Sequence, residues 1–220
     1  MSGYSYLKDP AAIYARSFAI VAQEAGLDRL PPAFHPLATR LVHAVGMPDL
    51  VDDLAYSADA VTRGRAALQA GNPVLCDCEM VRAGIIQRLL PNNNALHCTL
   101  NAPEVPARAK AIGNTRSAAA VELWQAQIAG AVVAIGNAPT ALFRLLELIE
   151  AGAPKPALVL GFPVGFVGAA ESKAALAANA LGLDFVTLRG RRGGSALASA
   201  AVNALSGGLV VGSGLEALSP

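Results

Sequence analysis

Residues 131–143 read Ala131-Val132-Val133-Ala134-Ile135-Gly136-Asn137-Ala138-Pro139-Thr140-Ala141-Leu142-Phe143. Five apolar residues lead through Gly136 and Asn137 to a proline that opens a second apolar-periodic segment, which is the pattern of a strand turning into a helix. The strand part does not alternate apolar with polar, so both of its faces are expected to be covered. The same pattern recurs on either side. Residues 73–78, 95–99, 157–160 and 184–188 are short apolar runs of strand length, and helical segments are expected over 80–89, 103–111, 117–127, 139–151, 169–181 and 196–205. Alternating strands and helices imply parallel pairing through helical crossovers. The fold class is therefore α/β, a three-layer α/β/α sandwich of about five mostly parallel strands.

Further outward, the first third of the chain reads as helical. Asp9-Pro10 has the form of a helix cap and first turn for a helix over 11–26, and Gly26 suits the residue past its end. A second helix is expected over 36–45, stopped by Gly46 and Pro48, and a third over 58–70, ended by Gly71-Asn72. At 220 residues the chain suits one α/β domain over 1–220, with a mainly helical part over 1–70 and a parallel-sheet core over 72–205.

Composition narrows the function. Hydrophobic residues make up 54% and charged residues 15%, which excludes global disorder. With 17 basic and 16 acidic side chains the net charge is +1, far from the excess that phosphate neutralisation demands, so nucleic acid is not an expected partner. Two stretches lack charge, 123–143 and 193–215, but Gln125, Gln127, Asn137, Pro139 and scattered Gly, Ser and Asn interrupt them. Neither is a continuous apolar span, so no membrane partner is expected. Three cysteines form no disulfide framework and no secretory signal precedes the first helix, which points to the cytoplasm.

In a parallel sheet, ligands sit beyond the carboxyl ends of the strands. There Gly161-Phe162-Pro163-Val164-Gly165-Phe166-Val167-Gly168 fits neither the dinucleotide nor the phosphate-loop spacing. It is either a tight turn or a backbone cradle for ligand carboxylates, with Gly165 at its centre. Asn137 is either a cap of the following helix or a ligand contact. Cys76, Cys78 and the His97-Cys98 pair could be imagined around a soft metal, yet the spacing is not that of a structural zinc site and buried free cysteine is common, so no metal is expected.

Of the three histidines, His35 suits a loop or cap and His97 a strand end. His43 follows Arg40 by three on a helix, so the two project from one face and could meet an anionic ligand together. Ser17 lies on the apolar stripe of the first helix, where its hydroxyl needs a partner, either the carbonyl of Ile13 or something outside the helix. Arg16, Arg40 and Arg116 are candidates for carboxylate recognition.

These segments resemble a known family when taken together. Arg16-Ser17-Phe18, Leu41-Val42-His43-Ala44, Asp77-Cys78-Glu79-Met80-Val81-Arg82-Ala83-Gly84-Ile85, Gly136-Asn137-Ala138-Pro139-Thr140-Ala141-Leu142, Gly161-Phe162-Pro163-Val164-Gly165-Phe166-Val167, Glu171-Ser172-Lys173 and Gly190-Arg191-Arg192-Gly193-Gly194-Ser195 resemble, in order and over nearly the whole chain, precorrin-8X methylmutase. The resemblance implies a flavodoxin-like sandwich and an isomerase of cobalamin biosynthesis that moves a methyl group from C-11 to C-12 of precorrin-8X to give hydrogenobyrinic acid. It implies His43 as proton donor and acceptor, Ser17, Arg40, Arg116, Asn137 and Gly165 as substrate contacts, and no cofactor. His43 is expected to enter the reaction protonated. A homodimer is expected, with product handed to the next enzyme. A tetrapyrrole carrier without turnover and a cobalt-precorrin-8 methylmutase are the alternatives.

Overall fold

The computed structural model describes residues 3–207, so residues 208–215 of the second charge-free stretch lie outside the described residues. Six strands form one sheet: β1 (Leu54–Tyr56), β2 (Val74–Cys76), β3 (Leu96–Cys98), β4 (Val132–Ile135), β5 (Leu158–Gly161) and β6 (Phe185–Leu188). Their order is β1-β6-β5-β4-β2-β3; all neighbours run parallel except β1, which is antiparallel to β6.

The uninterrupted apolar runs are explained by the layers. Val74, Cys76, Val132, Ala134, Leu158, Leu160, Val186 and Leu188 face one core. That core is closed by α1 (Pro10–Glu24), α2 (His35–Val45), α3 (Ala60–Gln69), α4 (Glu79–Gly84) and α9 (Ser195–Leu205). Leu75, Val133, Ile135, Val159 and Phe185 face the opposite core, with α6 (Arg116–Glu122), α7 (Pro139–Glu150) and α8 (Ala169–Ala177). A satellite cluster joins α5 (Val105–Ala111) to α6. Adjacent strand residues thus point into different layers, which favours apolar side chains on both faces; the buried Thr187 hydroxyl is satisfied by donating to the Gly161 carbonyl.

The sheet has six strands rather than five. The addition, β1, has only three residues between Asp53 and Ser57, too short to stand out as an apolar run. Its register, Leu54 opposite Leu188 and Tyr56 opposite Val186, ties the helical first third of the chain to the sheet.

Three expected helices end early: the one expected over 117–127 stops at Glu122, and the other two each end at an asparagine. The helix expected over 80–89 stops at Gly84, where Asn203 of α9 donates to the Gly84 carbonyl (3.0 Å) and accepts from the Ile86 N–H (2.8 Å). In α8, Asn179 donates to the Leu176 carbonyl (2.8 Å) and takes the Leu183 N–H (3.1 Å), turning the chain four residues before Leu181 is reached.

α9 is the central helix of its layer. All residues from Leu197 to Leu205 are buried, because the sheet lies on one side and α2, α3 and α4 on the others. Its alanines and serines permit close approach: a Cβ on Gly136, at the end of β4, would lie 2.7 Å from the Cα of Ser195. Glycine is required there by space, and the approach brings the start of α9 against the carboxyl ends of β2 and β4.

Candidate active site

β2 and β4 are neighbours although β3 lies between them in the chain, so their carboxyl ends mark the point where strand order reverses. This crevice is occupied by protein. The carboxylate of Asp77, 1% exposed, accepts N–H bonds from Gly136, Asn137 and Ala138, each 2.9 Å long. Burial pushes the Asp77 carboxyl upward, while the three amides pull it back. Asp77 therefore supplies the acceptors at the start of α7. Asn137 does not cap that helix: the cap position is Ala138, and the Asn137 residue is exposed.

The open cleft lies to one side, on the helical face. It has a volume of about 420 Å³, and Tyr14, Arg40, His43, Met80, Ser195 and Ser199 are among its walls. α1 crosses α2 so that Ser17 Oγ and His43 Nδ1 share a hydrogen bond of 2.8 Å. Ser17 is thus satisfied by the imidazole, not by the Ile13 carbonyl. When the hydroxyl donates, Nδ1 is the acceptor and the ring proton sits on Nε2. The rings of Tyr14 and Phe18, with centroids 5.5 and 5.3 Å from that of His43, fix the imidazole plane.

Arg40 stands one turn before His43. Its Nη1 is buried and has no hydrogen-bond partner. An unpartnered guanidinium nitrogen at the wall of a cleft is a donor suited to an acceptor that a ligand brings. Burial first, and then the charge of Arg40, hold the His43 pKa below the usual 6.5. In the ligand-free protein both influences favour the neutral imidazole.

The other sequence candidates lie elsewhere, along the carboxyl edge of the sheet. Arg116 opens α6 and donates to the Leu100 carbonyl and to Asn101 Oδ1, both at 3.1 Å, beyond the end of β3. Gly165, in the loop after β5, has a φ of +140° and donates its N–H to the Arg191 carbonyl at 3.3 Å. Ser17, Arg40 and His43 are brought together, and Arg116, Asn137 and Gly165 do not line their cleft. Tyr14, Met80, Ser195 and Ser199 were not singled out by sequence; only the order of the motifs containing Met80 and Ser195 carried a signal.

The thiols do not form a metal centre among the described residues. Cys76 and Cys98 are register partners, and Cys78 Sγ lies 3.5 Å from Ser195 Oγ. Burial pushes the Cys98 thiol up to about 11 and raises that of Cys76 as well, which keeps both protonated at neutral pH.

The sequence model of precorrin-8X methylmutase matches residues 12–207. This chain belongs to the precorrin-8X methylmutase family. It is 58% identical to the precorrin-8X methylmutase of Pseudomonas aeruginosa over 91% of this chain and 97% of that one. A Sinorhizobium precorrin-8X methylmutase is 55% identical over 94% and 98% of the two chains, and the cobalt-precorrin-8 methylmutase of Priestia megaterium 36% over 90% and 87%. The crystal structure of a precorrin-8X methylmutase from Thermus thermophilus superposes with a TM-score of 0.81 at 41% identity, covering 90% of this chain and 98% of that one. Within the precorrin-8X methylmutase family fold, the six-stranded sheet and its helices place the His43 cleft between α1, α2, α4 and α9.

Proposed function

We propose that this protein converts precorrin-8X to hydrogenobyrinic acid by moving a methyl group from C-11 to C-12 of the macrocycle, with His43 as proton donor and acceptor. The observation that carries the reading is the Ser17–His43 pair beside an unpartnered Arg40 in an open cleft. The reaction is an isomerisation: the bond from C-11 to the methyl carbon breaks, the bond from C-12 forms, and no atom is gained or lost. It needs the macrocycle held in one geometry and a proton delivered to ring C and recovered. Positioned proton transfer of this kind contributes about 10²–10⁴-fold.

His43 does the proton work and Ser17 fixes its ring. Arg40 takes a substrate carboxylate on its unpartnered nitrogen. That carboxylate cancels the guanidinium charge that disfavours imidazolium, so binding itself raises the His43 pKa and prepares the acid. Arg116, Asn137 and Gly165 act at the periphery, Arg116 through its charge, Asn137 through its exposed amide, and Gly165 by holding its loop against Arg191. The metal-free substrate is favoured by the relatives, since those named for precorrin-8X are 58% and 55% identical and the Priestia relative named for the cobalt form is 36%.

The protein acts as a cytoplasmic homodimer that hands its product on. The exposed apolar side chains of Tyr6, Leu7, Ile13 and Ile20 on and before α1 support a second copy as the cover of that face.

The test is the absorption spectrum of precorrin-8X over time with the parent protein and with His43→Ala. Conversion by the parent, and a loss of at least about 100-fold in turnover at saturating substrate in the variant, is expected. Binding without conversion by the parent would make the protein a carrier, and full turnover by the variant would remove His43 from the chemistry.

A further inference from the structure

The 420 Å³ of the cleft is at the small end of what even drug-sized ligands occupy, and a macrocycle of four pyrrole-derived rings with acetate and propionate arms is larger. Part of it must lie outside, across one of the walls. One wall is Ser195, the first residue of α9. The two residues before it press against the loop after β5: the Gly194 N–H donates to the Phe162 carbonyl (2.8 Å), and a Cβ on Gly193 would sit 2.4 Å from the carbonyl oxygens of Phe162 and Pro163. The loop over residues 162–168 is therefore packed directly against the residues that lead into this wall.

That loop carries large apolar side chains that are exposed among the described residues. Phe166 is 83% exposed, Val167 89% and Val164 45%. The guanidinium of Arg191 lies over the Phe166 ring, 5.4 Å from its centroid. Arg191 makes no ion pair among the described residues, whereas its neighbour Arg192 pairs with both Asp49 (2.7 Å) and Asp53 (2.5 Å). Lys173, fully buried, donates to the Arg192 carbonyl, and the Gly165 N–H donates to the Arg191 carbonyl. The two loops are thus held by these hydrogen bonds and ion pairs while Phe166 and Arg191 are exposed. A held scaffold presenting an aromatic face and an uncompensated positive charge is complementary to a flat anionic ligand.

We propose that Phe166 and Arg191 form an outer subsite of the His43 cleft, in which Phe166 packs on an edge of the tetrapyrrole and Arg191 takes one of its peripheral carboxylates. The inference rests on the methylmutase reading and adds where the part of the substrate outside the cleft is held.

Steady-state kinetics with precorrin-8X and equilibrium dialysis with hydrogenobyrinic acid test it, using the parent, Phe166→Ala, Arg191→Met and Arg191→Lys. Loss of a charge-assisted contact, or of the aromatic face, should raise KM and the product dissociation constant about tenfold, far more than kcat falls. Arg191→Met should also flatten the salt dependence of product binding, and Arg191→Lys should restore that dependence without restoring the full affinity. Circular dichroism and thermal unfolding check that each variant is folded, with Phe166→Leu as the replacement if the alanine is not. A parent that neither converts nor binds tetrapyrrole would overturn the methylmutase reading and the subsite with it. A parent that turns over, with variants of parental KM and product affinity, would overturn the subsite alone. The subsite also falls if Phe166→Ala changes the molecular mass in solution and leaves KM at the parental value, since the patch would then be a subunit contact.

Discussion

His43 is shaped by neighbours from two helices. Both influences on its titration, burial and the charge of Arg40, act downward. With His43 as the acid, kcat/KM falls as pH rises through the free-enzyme pKa, which lies below 6.5. Arg40→Met removes one of the two influences, so the pKa rises and the falling limb of the kcat/KM profile moves to higher pH. A limb that stays in place would show that the two side chains do not sense each other. The variant should also raise KM, because a substrate carboxylate loses its guanidinium; the position of the limb separates the two effects. Part of this site was legible in the sequence. Arg40 and His43 are three apart on a helix, and helical spacing alone places them together. The Ser17 contact spans 26 residues and depends on how α1 crosses α2, which no local pattern encodes. The role of Asp77 depends on folding in the same way: its partners are the amides of Gly136, Asn137 and Ala138, in the turn after β4, a strand that neighbours β2 only in the sheet.

At the scale of elements, Asp77 makes the start of α7 depend on the end of β2. Asp77→Asn places an amide NH2 where one carboxylate oxygen accepted an N–H, leaving donors facing each other in a buried site. The expected cost is about 2–3 kcal/mol, read as a lower midpoint in urea unfolding with the same slope. A midpoint at the parental value would show that solvent reaches the three amides. Most elements were readable because β2, β4 and β5 are apolar without alternation, β6 is broken only by Thr187, and the helices between them carry their own punctuation. β1 was not, since Leu54-Ala55-Tyr56 is set between Asp52-Asp53 and Ser57 with no longer apolar run around it, and it joins the sheet because β6 offers an open edge. The early end of α4 was equally invisible, because the residue responsible, Asn203, lies on α9.

Over the whole molecule, a net charge of +1 excluded polyanion binding by bulk field, and that reading is compatible with an anionic substrate because the positive groups are local. Arg29, Arg63, Arg82, Arg108, Arg144 and Arg192 are neutralised by carboxylates, while Arg40, Arg116 and Arg191 form no ion pair among the described residues. Composition sums both groups into one figure and cannot separate them. Association of two copies is likewise a property of the assembled surface. Light scattering coupled to size exclusion is expected to give twice the 22.4 kDa chain mass, and Ile13→Asp with Ile20→Asp should lower it to that of one chain. A parent that elutes as a monomer would remove the dimer.

The position of α9 in its layer also sets a timetable. It is the innermost helix of its face and the last one among the described residues, and β1 waits for β6 across more than a hundred residues. While the ribosome is still translating the middle of the message, the inner face of the sheet and the apolar side of α2 have nothing to close over them. At roughly 5–20 residues per second, that open state lasts for seconds in every newborn molecule. Chaperone dependence and losses to inclusion bodies should therefore be governed by how soon α9 emerges, and slow codons placed just before residue 195 should lower the soluble yield with no change in the finished protein.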